Sequence, residues 1–427
     1  MSFLALKEIL NVNNQLLTLA DNALLSCEQS FKEIRETARY NQARVLKSFQ
    51  EHGVTDMHLQ GSTGYGYSDL GRDTLDEIYA EVFYSESAVV RGQFVSGTHA
   101  ISAAMQGLLL AGDELIFAGG YPYDTLHKVV GWTSDSKHSL LNKGVKVKVI
   151  NTTKSGDLDT TSIVNNITAK TKMVHFQRSR GYTTRRAWSC AEVEPVFKAI
   201  KKVNPNIIIF VDNCYGEFVE KLEPTSVGAD VMAGSLIKNP GGGLALWGGY
   251  IVGKEQFIND IMDYCVAPGL GRDMGGTQNI IRSFYHGLFL APHVVGQALM
   301  GAVFAANIFE KLNLTVDPKA NEQRYDIIQS VNMKNKEQLI AFCEGIQKGS
   351  PVDSMANPIP GMLPGYDHEV IMAAGTFIQG ASIEFSADAP VIEPYTVYMQ
   401  GGQMLEHIEL GIITALNHMI KKGVLEV

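Results

Sequence analysis

Between about residues 55 and 290, short apolar runs alternate with stretches of helical periodicity, and no other feature narrows the possible folds of this chain as much. The runs cover residues 88–95, 114–118, 145–150, 173–176, 207–211, 231–233 and 249–252. Strands separated by helices form a largely parallel sheet with helices on both faces, which places this region in the α/β class. The run 207–211, Ile-Ile-Ile-Phe-Val, has the continuous apolar character of a strand buried on both sides. Open sheets of this kind bind ligands beyond the C-terminal ends of their strands. The residues that close each run are therefore the first candidates for function.

The flanking regions read differently. Residues 1–54 place Leu16, Ala20, Ala23, Leu24, Cys27, Phe31, Ile34 and Ala38 at helical spacing, as one or two amphipathic helices that pack on the body or on a second subunit. Beyond 290, an Ala-, Gly- and Val-rich helix is expected over 291–314, with Pro292 near its start. Helices over 334–347 and 405–422, and strands over 369–371 and 381–385, give a smaller C-terminal α+β domain. Residues 351–365, with four prolines and two glycines, form a long loop of the kind that often carries function. The expected organisation is thus 1–54, 55–290 and 291–427.

At 427 residues and 45% hydrophobic composition, the chain is long enough for two domains with substantial cores. A net charge of −9 argues against nucleic acid or an anionic membrane as the main partner. The first residues lack a secretory signal and no run approaches a membrane span, so a cytoplasmic protein is expected. Five scattered cysteines without Cys-x-x-Cys spacing read as reduced thiols, and the histidines have no metal-ligand spacing. No metal is expected.

Chemistry concentrates at two strand ends. Asp212 closes the run 207–211, and Lys238 follows twenty-six residues later in Gly-Ser-Leu-Ile-Lys-Asn-Pro-Gly-Gly-Gly. Pyridoxal 5'-phosphate requires this pair: a lysine amine for a Schiff base, and a carboxylate that keeps the ring nitrogen protonated so that the ring withdraws electrons. Ser235 lies three residues before Lys238, where its hydroxyl can meet a phosphate, and the nearby glycines let the backbone pass close to it. Taken alone, Lys238 would read as a surface lysine in a Gly-rich loop. The surrounding motifs change that reading.

Ser96-Gly97-Thr98 follows a strand and opens a helix, so its hydroxyls and unpaired N–H groups form a phosphate cradle as well as an ordinary N-cap. Tyr121 and Tyr123, in a Gly/Pro turn after 114–118, each offer a ring to stack on a flat cofactor, and the sequence does not separate them. Arg178, Arg180, Arg185 and Arg186 cluster after 173–176, where a guanidinium fork suits a carboxylate or phosphate and where a solvated basic loop is the plainer alternative. The Gly-rich stretch 64–73 has no preceding strand, so it is not a dinucleotide fingerprint.

In order, Tyr-Ser-Asp-Leu-Gly-Arg-Asp-Thr, Ser-Gly-Thr-His-Ala, Gly-Asp-Glu…Tyr, Val-Asp-Asn-Cys-Tyr and Ser-Leu-Ile-Lys resemble the fold-type I pyridoxal-phosphate enzymes of cysteine and methionine metabolism. These include cystathionine lyases and methionine gamma-lyase, and the chain is most similar to the branch labelled aluminium resistance protein. The resemblance is clear over about residues 60 to 255, and Asp-Asn…Ser-x-x-Lys is its specific part. It implies an aspartate aminotransferase-type large domain (PLP transferase-like) with a smaller C-terminal α+β domain. It further implies Lys238 as the Schiff-base lysine, Asp212 as partner of the pyridine nitrogen, and Ser96, Gly97, Thr98 and Ser235 on the phosphate, with Tyr121 or Tyr123 on the ring. Tyr67 would reach the phosphate of a neighbouring subunit in a homodimer or homotetramer with shared sites.

Two departures stand out. The family places an Arg two residues after that Tyr, where this chain has Asp69, with Arg72 nearby as a substitute. The stretch 380–385 lacks the Arg that binds the substrate carboxylate in the family, so substrate recognition either differs or moves to Arg178, Arg180 or Arg272. The expected activity is elimination at Cβ or Cγ of a sulfur-containing amino acid, with Lys238 as base at Cα. The alternatives are an aminotransferase or a non-catalytic cofactor-binding protein linked indirectly to metal tolerance.

Overall fold

The computed structural model describes residues 2–362 and 368–426. The chain divides into two compact units, one of residues 40–291 and the other of residues 1–39 with 292–427. The first division falls inside the helix Glu28–Glu51. Residues 1–39 join the later unit because Leu16, Leu17, Ala20, Ala23, Cys27 and Phe31 share one apolar core with Phe304, Phe309, Ile408 and Ile412.

In the larger unit, β1 (Ser87–Arg91), β2 (Glu114–Ala118), β3 (Lys146–Ile150), β4 (Thr171–Gln177), β5 (Ile208–Asp212), β6 (Val231–Ser235) and β7 (Gly249–Gly253) form one sheet in the order β1-β7-β6-β5-β4-β2-β3. Neighbours from β3 across to β6 run parallel, and β7 is antiparallel to both β1 and β6. Every residue of β1, β2, β5, β6 and β7 is buried, as continuous apolar runs require. Each of Ile208, Ile209, Phe210 and Val211 contributes roughly 1.5–3 kcal/mol by leaving water. Strand β3, at the edge, keeps two lysines and is only partly covered.

Two connections matter for the site. The helix Gly97–Leu108 is capped by Ser96, whose Oγ accepts the His99 N–H at 3.1 Å. Its first residue lies against the end of β6: a Cβ added at Gly97 would come 2.8 Å from Ser235 Cβ. The helix Leu70–Val82 begins where Asp69 caps it, accepting the Arg72 N–H at 2.9 Å.

The helix Ile281–Lys311 is one continuous element with Pro292 inside it, where the sequence suggested a start near Pro292. It is long and apolar enough, by length and composition, to cross a membrane, which corrects the expectation that no run approaches a span. Most of its apolar stretch is buried within the protein, as in the core helix of a soluble domain.

The second unit carries β8 (Thr315–Asp317), β9 (Ile328–Asn332), β10 (Gly361–Met362), β11 (Glu369–Ala373), β12 (Ser386–Pro390) and β13 (Thr396–Gln400), all antiparallel in the order β10-β11-β12-β13-β9-β8. Helices Lys336–Lys348 and Leu405–Lys421 belong to the same unit. The expected strand at 381–385 is instead a turn, and the strand begins at Ser386. Gly380 at φ +75° and the Glu384 carboxylate, which accepts the N–H groups of Phe377 and Ile378 at 2.8 and 2.9 Å, hold that turn. Of the 351–365 loop, residues 363–365 lie outside the described residues.

Candidate active site

Parallel pairing aligns Gln177 with Asp212 and Asp212 with Ala233, so β4, β5 and β6 end side by side. Asp212 closes β5, buried, with its Oδ1 accepting the Cys214 N–H at 3.0 Å. Burial raises its carboxyl above the usual range, against the opposing pull of Lys238, the Cys214 N–H and Arg185. Lys238 leaves the end of β6 and sets its Nζ 4.2 Å from the Tyr215 ring centre and 5.9 Å from that of Tyr123. Burial alone would lower the ammonium. The groups around it, Cys214, Tyr215, Asp212 and Glu217, outweigh burial and hold it above its ordinary value.

The remaining expected cofactor residues fall into two groups. Gly97 and Ser235 touch, Ser96 stands at the helix N-terminus, and Thr98 Oγ1 bonds Thr125 Oγ1 at 2.7 Å. Ser235 is buried. Tyr123 approaches Lys238 and meets Tyr182 edge to face. Tyr121 turns away, 61% exposed, with its ring edge-on to Trp132 at 5.0 Å. Tyr67 is also exposed and packs on Tyr65, 5.6 Å between ring centres.

The arginines separate as well. Arg178 is buried in a network with Glu220, with Asn213 Oδ1 at 3.1 Å, and with the carbonyls of Gly216 and Trp188, both at 3.1 Å. Its fork is thus committed to structure. Arg272 donates to Ser87 Oγ at 2.7 Å and lies 3.8 Å from Asp76, beside β1 rather than at the ends of β5 and β6. Arg180 is buried in the loop after β4. That loop reaches Tyr123 through Tyr182 and Gly181, where an added Cβ would lie 3.6 Å from Tyr123 Cδ2.

Arg72 does not replace the guanidinium missing at Asp69. It is buried, bonds the carbonyls of Gly66 and Gly275 at 2.7 and 3.2 Å, and pairs with Asp73 at 2.8 Å. Asp69 accepts the hydroxyls of Ser62 and Thr277. Both residues therefore fix the loop that carries Tyr67.

Of three further residues of this region, the sequence reading placed Arg185 only in a basic cluster and Tyr215 only in a motif, and it missed Glu217. Tyr215 holds a left-handed backbone, φ +74°, rare for an aromatic residue and a mark of functional sites. Glu217 is fully buried behind Lys238. Arg185 stacks on Trp188 at 4.0 Å and contributes to the field at Asp212. Their only signal is proximity in sequence to Asp212 and to the arginine cluster.

These residues suit pyridoxal phosphate. Asp212 keeps carboxylate lone pairs beyond the one used by Cys214, enough to accept a ring N–H. Gly97 permits the close backbone approach that a phosphate cradle needs.

The sequence model of the methionine gamma-lyase family matches residues 16–420. The uncharacterized protein YnbB of Bacillus subtilis is 49% identical over 392 residues, 92% of this chain and 93% of its own. A Clostridium acetobutylicum structure, described as a candidate cystathionine beta-lyase involved in aluminium resistance, superposes with a TM-score of 0.93 at 47% identity, over 97% of this chain and 98% of that one. The pyridoxal-5'-phosphate-dependent protein YhfS of Escherichia coli shares the fold alone, with a TM-score of 0.60 at 15% identity over 90% of this chain and 96% of its own. By a match over nearly its whole length, this chain belongs to the methionine gamma-lyase family.

Proposed function

We propose that the protein is a pyridoxal-phosphate-dependent carbon–sulfur lyase acting on a sulfur-containing amino acid by α,β- or α,γ-elimination. The observation that carries this reading is Lys238 Nζ lying 4.2 Å from the Tyr215 ring centre and 5.9 Å from that of Tyr123, in the field of the buried Asp212 carboxylate. Pyridoxal phosphate, when bound, supplies an aldehyde for exchange between amines and a ring that withdraws electrons from the substrate's Cα.

Lys238 is the covalent attachment point and, once its amine is released, the base that takes the Cα proton. The same amine can remove a Cβ proton where the leaving group is at Cγ. Asp212, whose ionised form burial disfavours and Lys238 favours, would hold a proton on the ring nitrogen of the bound cofactor. Ser96, Gly97, Thr98 and Ser235 would hold the phosphate, and Tyr123 would pack on the ring. Arg180 receives the substrate carboxylate, on a loop already packed against Tyr123.

The test is turnover. With cystathionine or methionine, the loaded protein should release ammonia and a 2-oxo acid together, and Lys238→Ala should lose at least about a thousandfold of that rate. A 2-oxo acid without ammonia would replace this reading with transamination.

We further propose a homodimer or homotetramer in which Tyr67 completes the neighbour's site, since its ring is exposed and its loop is held rigidly by Asp69 and Arg72. Inactive Tyr67→Phe and Lys238→Ala chains, mixed, should recover activity. A verified mixed dimer with none would end the shared-site proposal.

A further inference from the structure

The unit formed by residues 1–39 and 292–427 contains a cavity of about 1020 Å³, none of whose residues belongs to the candidate active site. It lies between the short helix Phe3–Leu6, the helices Asn14–Leu25 and Glu28–Glu51, and the first turns of the helix Leu405–Lys421. Phe3, Leu6, Leu24, Phe31, Leu405 and Leu410 give it an apolar wall. Small-molecule sites have this construction, an apolar surface with a few polar groups that fix orientation.

The charged groups are almost all of one sign. Asp21, Glu28, Glu406 and Glu409 line the cavity against a single cation, Arg35. Asp21 is used by the fold, accepting the Ser2 hydroxyl and, at 2.8 Å, the Phe3 N–H. The Arg35 guanidinium rests over the Phe31 ring, 5.7 Å from its centre. The carboxylates of Glu28, Glu406 and Glu409 have neither a hydrogen bond nor an ion pair among the described residues. Glu28 and Glu406 are exposed, where water serves them. Glu409 is only 7% exposed, and a carboxylate so far out of water is disfavoured until a counter-charge reaches it. Burial first, and then the charge of Glu406, push its carboxyl up to about 7. Cys27, the other titratable group beside it, is a buried thiol that burial keeps protonated.

We propose that this cavity binds an aliphatic diamine, one ammonium group meeting the Glu409 carboxylate, the methylenes covering the apolar wall, and the second ammonium reaching the exposed carboxylates of Glu28 and Glu406. Binding is noncovalent. An amino acid's own carboxylate would meet four acids and one guanidinium, so the cavity selects against amino acids and is not a second substrate site. The inference does not depend on a cofactor at Lys238.

The experiment titrates hexamethylenediamine calorimetrically into the full chain, reduced beforehand with borohydride so that no aldehyde can condense with the amine. Salt at about 0.15 M screens diffuse attraction to the chain's net charge of −9. Near pH 8 the diamine should bind at least about tenfold more tightly than hexanediol, which has the same length and no charge. Aliphatic ammonium groups lose their protons only near about pH 10, so a weakening of about tenfold between pH 8 and pH 6 reports protonation of Glu409. Glu409→Gln should lose about tenfold at pH 8 and flatten that dependence. Arg35→Gln, at an exposed position, should tighten binding by removing the competing cation. Equal affinity of wild type and Glu409→Gln, or of diamine and diol, would overturn the proposal. If Glu409→Gln does not fold, a flat wild-type pH dependence with unchanged affinity in Arg35→Gln would do so alone.

Discussion

Glu217 and Glu384 are both buried glutamates, one in each unit of the chain, and their surroundings differ in an instructive way. Burial raises both carboxyls. Glu384 accepts two backbone N–H groups and holds the turn before β12, so its lone pairs are used by the fold. Glu217 accepts the Tyr250 hydroxyl, keeps a buried oxygen without a hydrogen-bond partner among the described residues, and follows by five residues Asp212, which like Cys214 and Lys238 has its acid strength displaced by burial and neighbouring charge. A buried polar group that is fully bonded marks architecture, whereas a group of incompletely bonded, mutually charged residues at a strand end marks chemistry.

Substitutions at the two places should separate accordingly, and the largest effect is expected at Asp212. Asp212→Asn keeps the shape of the β5 end but no longer holds a proton on the ring. Turnover should fall by about 10²–10³, measured as ammonia release with the cofactor still bound. A variant within a factor of a few of wild type would place the ring nitrogen elsewhere.

The next effect is on cofactor loading. Because Lys238 is held as the ammonium, and only the uncharged amine condenses with an aldehyde, the loading rate should rise with pH, by about tenfold per unit over the range below its displaced value. Stopped-flow absorbance would record it. A rate independent of pH between 7 and 9 would mean that the surrounding carboxylates do not govern the amine.

Gly97→Ala should act more modestly. Its new methyl would meet Ser235 Cβ at 2.8 Å and push the helix start from β6, weakening cofactor affinity by about tenfold through loss of roughly 1–3 kcal/mol of packing. Equilibrium dialysis measures the change, and unchanged affinity would remove the phosphate from this turn. Glu384→Ala should leave affinity and turnover alone and lower stability by about 1–3 kcal/mol, because two buried N–H groups lose their acceptor. A loss of turnover without a loss of stability would erase the contrast between the two glutamates.

Much of the architecture could be read from the sequence because continuous apolar runs permit few alternatives. All seven runs of the first region contain or overlap a strand of the large sheet. The run at 381–385 misled because alternating Ala381, Ile383 and Phe385 fit equally well a turn that buries those three side chains. Asp212 and Lys238 were conspicuous because each closes or follows a strand. Arg178 also follows one, but its partner Glu220 lies 42 residues away, and pairing over that distance leaves no local pattern. Tyr121 and Tyr123 share one turn, and only tertiary packing separates them, Tyr121 on Trp132 and Tyr123 on Tyr182 and toward Lys238. Glu217 looks like an ordinary surface glutamate until Tyr250 and Asn239 are brought around it by the sheet.

The central claim is a covalent position. Borohydride reduction of the cofactor-loaded protein, followed by peptide mapping, should place the pyridoxyl group on Lys238 and on no other lysine, with the label lost in Lys238→Ala. A label on a different lysine, or equal labelling of the Lys238→Ala chain, would contradict the account.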